Sequence, residues 1–171
     1  MADTKILDFI TVSAEYCAFL EQTNSFNQKE FISKSQKILC LLYLKTSVLE
    51  PNSDIEGFSE QYVTEEDYNY VESHVAQKLS DFNTFLEIQE PDTYESGETV
   101  SVSVSECFAD IYQDIRDCIE RYKNGNEEAQ DNAIFECILN FKTFWGSRAL
   151  AVISELHNIL YSTSTQFNDD E

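Results

Sequence analysis

The sequence predicts an all-α, single-domain bundle of five or six helices with a long C-terminal helix. Glycine and proline, which tight turns require, occur only four and two times in 171 residues, so a sandwich or barrel of many short strands is disfavoured. Hydrophobic residues make up 42% of the chain, which is enough for a substantial core. We expect the domain to span residues 1–162 and an acidic tail at residues 163–171 to fray.

The first third of the chain predicts two helices. In ILDFITVSAEYCAFLEQ, apolar residues recur every three or four positions, which indicates a first helix over about residues 4–21. The turn-like NSFNQ separates it from a second amphipathic helix, which ends at Pro51 because proline cannot continue a helix. A polar loop, PNSDIEGFSEQYV, follows.

A capping signal predicts the start of a third helix. Thr64 provides the N-cap side chain, and Asp67 lies at the third helical position, where a carboxylate can bind back to the cap. Helical spacing continues from Val71 to Leu86. We therefore predict a helix that ends before the second acidic loop, EPDTYESGET.

The alternating segment VSVSVSE, which begins at Val100, could be a short strand. A single strand without a partner would leave its backbone polar groups unsatisfied. We therefore interpret the segment as an extended lead-in to a fourth helix, with Ser103 or Ser105 as the N-cap. That helix ends at KNGNE, where Gly125 or Asn124 can adopt a left-handed conformation.

The last helix is predicted to run from about Asn126 to Tyr161. Its apolar residues keep their helical phase across Gly146, so we expect one long helix that can bend at this glycine. Glycine within a helix costs about 1 kcal/mol relative to alanine, which suggests close packing there. The core of the bundle is predicted to include Ile10, Leu42, Val75, Phe82, Ile111, Ile115, Ile138, Phe141, Trp145, Val152 and Leu156.

The cysteines indicate a reducing compartment. All five lie in apolar stretches, where a free thiol behaves as a small hydrophobic group, and none forms a C-x-x-C pair. The N-terminus lacks a basic region followed by a long apolar run, and no apolar run approaches the ~18 residues of a membrane span. We therefore expect a cytoplasmic protein.

The charge is strongly and unevenly negative. The net charge is −21, and residues 46–115 contain 17 acidic residues but only one basic residue, Lys78. Such a chain repels nucleic-acid phosphates and anionic lipids, so we expect neither direct nucleic-acid binding nor membrane binding. The simpler interpretation is that the charge keeps the protein soluble. The alternative is attraction of a basic protein partner.

The segment SECFADIYQDIRDCIERY, residues 105–122, raises the main functional question. On a helix, Asp110, Asp114 and Asp117 run beside an apolar stripe. The simplest interpretation is a solvated face. A metal or catalytic site would need further ligands from a facing helix, and the E-x-x-H spacing of di-iron bundles is absent. A hard cation such as Mg²⁺ on Asp110 and Asp114 is the alternative, but we expect no bound metal and no cofactor.

Three residues of the last helix complete the candidate site. We interpret Trp145 as a core residue and His157 as a half-buried histidine, since both roles are commoner than ligand binding or catalysis. Arg148 is expected to pair with one aspartate of the fourth helix at the rim of their interface. No phosphate-binding glycine loop or nucleophile motif is present in the sequence. The candidate surface or cleft cluster is Asp110, Asp114, Asp117, Trp145, Arg148 and His157.

Three segments carry a family resemblance. They are LCLLYLKTSVLEP at residues 39–51, DIYQDIRDCIERYKNG at residues 110–125, and AIFECILNFKTFWGSRALAVISELHNIL at residues 133–160. Together they resemble the bacterial family named domain of unknown function 5063. The resemblance implies an all-helical domain of this length and no particular activity. Family members often carry a histidine shortly after the WG pair; here Ser147 and Arg148 follow it, which argues against a histidine-based site.

These observations lead to three functional hypotheses. The first is a non-catalytic protein-interaction or regulatory module, which requires no motif. The second is an acidic decoy or inhibitor of a basic protein. The third is a metal-dependent enzyme that uses the Asp110–Asp114 face. The sequence leaves the identity of the partner and the oligomeric state open.

Overall fold

The computed structural model describes residues 3–51, 60–88 and 97–168. Within these ranges the chain is a helical bundle, as predicted, with a two-stranded sheet at one edge. The polar loop after Pro51 and the acidic loop before Val100 fall largely outside the described residues. The helices are α1 Thr4–Glu21, α2 Gln28–Ser47, α3 Glu65–Leu79, α4 Val104–Asn124, α5 Glu127–Asn140 and α6 Gly146–Tyr161, and the strands are β1 Thr84–Ile88 and β2 Thr99–Ser103.

Helix α4 is the centre of the bundle, because α1, α3, α5 and α6 all pack against it. Its apolar stripe is fully buried at Phe108, Ile111 and Ile115. The buried hydroxyl of Tyr16 on α1 donates a hydrogen bond of 2.9 Å to the carbonyl oxygen of Phe108. The α1–α4 contact thus combines apolar burial with a satisfied polar group.

The predicted core residues all belong to the core or pack against it. Ile10, Phe82 and Phe141 are half-buried at its edge. Cys40 differs from the expectation for the cysteines, since it is exposed on the outer side of α2. The predicted residues that are buried are Leu42, Val75, Ile111, Ile115, Ile138, Trp145, Val152 and Leu156.

The predicted helix starts are confirmed by their caps. At α3, the Thr64 side chain accepts a hydrogen bond from the Asp67 amide, and the Asp67 carboxylate accepts one from the Thr64 amide, so the capping box is complete. Ser103 is the N-cap of α4, and Asn126 caps α5. Polar side chains in the sequence therefore fix where these helices begin.

Two predictions around the sheet are wrong. Helix α3 ends at Leu79, after which Ser80 takes a positive φ of 50° and redirects the chain. Leu86 consequently lies in β1, where its side chain is 72% exposed. The segment after Val100 is a strand, not an unpaired lead-in, because β1 pairs with it antiparallel and satisfies its backbone.

The connection from α4 to α5 also differs from the prediction. Gly125 is extended, with φ −90° and ψ 159°, and not left-handed. The next residue, Asn126, already caps α5 through a hydrogen bond from the Ala129 amide. So short a connection makes α4 and α5 antiparallel neighbours, which creates the cleft described below.

The long C-terminal helix is confirmed as a continuous helical stretch of 35 residues. A π-helical turn, Phe141–Trp145, joins α5 to α6 immediately before Gly146. A Cβ atom on Gly146 would lie only 2.5 Å from the carbonyl oxygen of Phe141. The glycine therefore allows the π turn to close, which is the close packing that the sequence suggested.

As far as Asn168, the tail packs against the bundle and does not fray as expected. The Asn168 amide donates a hydrogen bond of 2.8 Å to the side-chain oxygen of Gln28, which is buried at the start of α2. The ring of Phe167 packs near Phe82 and under the Lys29 ammonium group. The tail thus connects the end of α6 to the α2–α3 side of the bundle. Within the described residues, every helix is too short or too polar to cross a lipid bilayer.

We predict that Gly146→Ala destabilises the protein although alanine is the better helix former. Propensity alone would stabilise the variant by about 1 kcal/mol. The contact with the Phe141 carbonyl oxygen should outweigh that gain and give a net loss of about 1–2 kcal/mol. Urea unfolding measures the difference, with Ser147→Ala at the neighbouring exposed position as a near-neutral control. A Gly146→Ala variant more stable than wild type would contradict this account of the π turn.

Candidate functional site

The three aspartates of α4 have three different environments. Asp117 is only 5% exposed, and its Oδ1 accepts hydrogen bonds of 2.8 Å from the backbone amides of both Tyr62 and Val63. The predicted solvated face is therefore wrong at this position. Asp117 anchors the segment that leads into α3, and its charge is compensated by two backbone donors.

Asp110 lies where α3, α4 and α6 meet. It accepts a hydrogen bond of 2.9 Å from the hydroxyl of Tyr68, and its Oδ2 lies 3.9 Å from Nη1 of Arg148. The expected contact between Arg148 and an aspartate is thus present, although it is long for an ion pair. The Arg148 guanidinium also stacks on the ring of Phe144, with 4.7 Å between its carbon and the ring centroid. Burial and the hydrogen bond to Asp110 raise the pKa of Tyr68.

Asp114 faces α5 and not Arg148. Its Oδ1 accepts a hydrogen bond of 3.2 Å from the side-chain amide of Asn140. Burial raises the pKa of Asp114 to about 6, the neighbouring charge of Asp117 adds to the rise, and the Asn140 hydrogen bond opposes it. Asp114 is therefore a half-buried carboxylate whose charge is only partly compensated.

Asp114 lines a cleft of about 750 Å³ between α4 and α5, closed at one edge by Glu60 and Gln61. We call it the α4–α5 cleft. Its inner wall carries the buried residues Cys118, Ala133 and Cys137. The remaining lining residues are Gln113, Asp117, Arg121, Glu136, Leu139 and Asn140.

Arg121 helps to hold the cleft together. Its Nη1 forms an ion pair with Glu136 on α5, and its Nε donates a hydrogen bond of 2.6 Å to the carbonyl oxygen of Glu60. Helical spacing alone would bring Arg121 within reach of Asp117, one turn earlier on the same helix. The structure turns it instead toward α5 and the cleft edge.

Sequence reasoning missed Asn140, through which α5 contacts Asp114. A signal was available, because the short connection at Gly125 makes α4 and α5 antiparallel. Positions at similar distances on either side of the turn then face each other, as Asp114 and Asn140 do. Reading that connection as a tight hairpin would have placed Asn140 opposite Asp114.

Four of the six predicted site residues do not line the cleft: Asp110 and Arg148, described above, and Trp145 and His157. Trp145 is fully buried in the core, where its Nε1 has no hydrogen-bond partner in the described part of the chain. His157 is exposed, and not half-buried as predicted, and its ring packs on the ring of Tyr161. Across residues 3–51, 60–88 and 97–168, no group of three or more His, Cys, Asp or Glu side chains is arranged to hold a metal ion. Only Asp114 and Asp117 of the predicted cluster line the cleft.

Comparisons with known proteins agree with this fold. The chain matches the family described as "Domain of unknown function (DUF5063)" over residues 1–162, which confirms the resemblance, and the chain belongs to that family. It is also similar to the crystal structure of protein BF1032 from Bacteroides fragilis, with 35% sequence identity and a TM-score of 0.84. That alignment covers 96% of this chain and 98% of the other. A comparison with curated proteins gives no match.

We predict that Asp117→Ala costs about 2–4 kcal/mol of stability, because it leaves the Tyr62 and Val63 amides without their acceptor. Asp117→Asn keeps a side-chain oxygen for these amides and should cost distinctly less. Urea denaturation of both variants provides the measurement. An Asp117→Ala variant within about 0.5 kcal/mol of wild type would show that the contact does not anchor this segment.

Asp114→Asn should stabilise the protein above pH 6. Because the pKa of Asp114 is raised to about 6 in the folded state, the folded chain binds this proton more tightly than the unfolded chain does. Wild type therefore loses stability as the pH rises from about 4 to about 6. Asparagine removes that loss, and we expect a gain of about 1 kcal/mol at pH 7.5, since water partly screens the charge.

Denaturant unfolding across pH 4–8 tests this linkage. The difference between Asp114→Asn and wild type should shrink toward zero at the acidic end. Glu66→Gln, which removes an exposed carboxylate of α3, serves as the control and should show no such change. A pH-independent difference would contradict the raised pKa.

Proposed function

We propose that this DUF5063 protein is a non-catalytic protein-interaction module and that its partner binds at the α4–α5 cleft. The observation that carries the proposal is the state of Asp114. It is a half-buried carboxylate in a cavity of about 750 Å³, and within the described ranges its one hydrogen-bond donor is the Asn140 amide. A polar cavity of this size that contains an incompletely compensated charge is suited to receive a group from a partner.

The other charged groups of the cleft support this assignment because they are already engaged. Asp117 accepts two backbone hydrogen bonds, and Arg121 binds Glu136 and the Glu60 carbonyl oxygen. These contacts hold the walls in place before any partner arrives. A pre-organised site loses less entropy when it binds, which favours recognition.

The thiols of the cleft support a role without covalent chemistry. Cys137 is buried, and its hydrogen bond with Cys118 and its burial raise its pKa. A thiol that resists ionisation is a poor nucleophile. The described cysteines are all free, which supports a reducing compartment, and we propose a cytoplasmic location on that basis.

The acidic decoy is a second candidate, favoured by the exposed carboxylates Glu65 and Glu66 in the first turn of α3. Decoy binding would spread over many exposed acids and weaken steeply with added salt. Binding at the cleft would instead depend on one residue, Asp114. This difference separates the two functions in a single experiment.

The test is site-specific photo-crosslinking of the full chain in cells that naturally express it. A photoreactive residue at Leu139, which is 47% exposed at the cleft, should give a discrete adduct with a partner. The same residue at Leu7, which is 48% exposed on α1, is the position control. The Leu139 adduct should disappear in Asp114→Asn and persist in Glu66→Gln.

Other outcomes would contradict the proposal. An adduct that survives Asp114→Asn but is lost at high salt would favour the decoy. Equal adducts from Leu139 and Leu7 would show that the cleft is not the binding site.

A further inference from the structure

We infer that the α4–α5 cleft accepts a guanidinium group, supplied by an arginine side chain of the partner. The inference rests on the proposed function and specifies the chemistry of the same site. It depends on the charges of the lining, on the hydrogen-bond acceptors that are still free, and on the apolar inner wall.

The lining charges favour a cation. Among the described residues, four carboxylates line the cleft against one cationic side chain, Arg121; the four are Glu60, Asp114, Asp117 and Glu136. The charge of Arg121 is paired with Glu136, and its Nε donates to the Glu60 carbonyl oxygen, so Arg121 adds little net attraction for an anionic ligand. A carboxylate or phosphate entering the cleft would be repelled, whereas a cation would relieve the repulsion between Asp114 and Asp117.

The free acceptors suit a donor with several N–H groups. Asn140 donates its amide hydrogen to Oδ1 of Asp114, so its own oxygen remains an acceptor. Within the described residues, Oδ2 of Asp114 has no donor. Gln113 and Gln61 place further amide groups on the lining. A planar guanidinium has five N–H donors and can use several of these acceptors together, whereas an ammonium group has three.

The inner wall distinguishes the two basic side chains further. Cys118, Ala133 and Cys137, which have small and largely apolar side chains, line the cleft and are buried. Guanidinium is weakly hydrated and tolerates such a surface, whereas ammonium is strongly hydrated and would lose its water at a cost. Arginine is also among the residues most enriched at the energetic centres of protein interfaces.

Binding should also depend on pH, because Asp114 attracts a cation only when it is ionised. No histidine is among the described residues that line the cleft. With a pKa of about 6, Asp114 is ionised at pH 7.5 and largely protonated at pH 5. We therefore expect affinity to fall roughly tenfold between these values. The charged groups nearby are Asp110, Asp117 and Arg121 on α4, Glu136 on α5, and Glu60 at the edge.

Nitrogen-15 NMR titration of the full-length protein tests the inference. The probe is N-acetyl-arginine-N-methylamide, compared with the matching lysine derivative and with free arginine. The capped arginine should cause saturable shifts at the side-chain amides of Gln61, Gln113 and Asn140. The capped lysine should bind at least about fivefold more weakly, because it offers fewer donors. Free arginine should also bind more weakly, since its carboxylate meets an acidic cleft.

Variants complete the test. Asp114→Asn should weaken binding of the capped arginine by roughly tenfold or more. Asn140→Leu, which removes the second acceptor at similar side-chain size, should weaken it as well, and Glu66→Gln should not. Dispersed amide spectra confirm that each variant is folded. Equal binding of arginine and lysine, shifts spread over exposed acids, or full binding by Asp114→Asn would each overturn the inference.

The two proposals fail in distinguishable ways. If Leu139 crosslinks a partner in an Asp114-dependent manner but capped arginine causes no local shift, the guanidinium assignment is wrong and the interaction module stands. If capped arginine binds as expected but no Asp114-dependent adduct forms, the guanidinium assignment is right and the proposal that a protein partner binds at the cleft is wrong.

Discussion

The burial of α4 is the constraint on which the rest of the structure depends. Because other helices surround it, any polar group on its inner side must find a partner within the protein. Asp117 meets this requirement by accepting the amides of Tyr62 and Val63. The same contact holds the adjacent Glu60 and Gln61 at the edge of the cleft. The burial of a central helix thus shapes the site.

The negative charge of the chain serves more than solubility. Asp67 closes the capping box of α3, Glu72 accepts a hydrogen bond from the buried Ser105 hydroxyl, and Asp110 binds Tyr68. Each of these carboxylates satisfies a donor within the fold, so its charge is a structural element. Asp114 differs from them because it is half-buried and, in the part of the chain that the structure describes, accepts one hydrogen bond, from Asn140. That difference, and not the total charge, is the basis of the proposed binding site.

Local interactions explain what the sequence predicted well. The capping box at Thr64, the N-cap at Ser103 and the continuous phase across Gly146 depend on residues within one or two helical turns. The errors at the sheet and at the tail came from pairings that are distant in the chain. The strand after Val100 required β1 as its partner, and the docked tail required a buried acceptor on Gln28. The sequence pattern of the strand or of the tail does not by itself identify the segment with which it pairs.

The sequence by itself determined the all-helical class, most helix boundaries and the family, since amphipathic spacing and capping are encoded locally. It also marked the aspartates of α4 as the segment to examine. Only the tertiary structure decided their roles, because desolvation and hydrogen-bond partners depend on which elements pack together. Asp110, Asp114 and Asp117 have the same side chain and regular spacing. They differ because one meets Tyr68, one meets Asn140 and one meets two backbone amides.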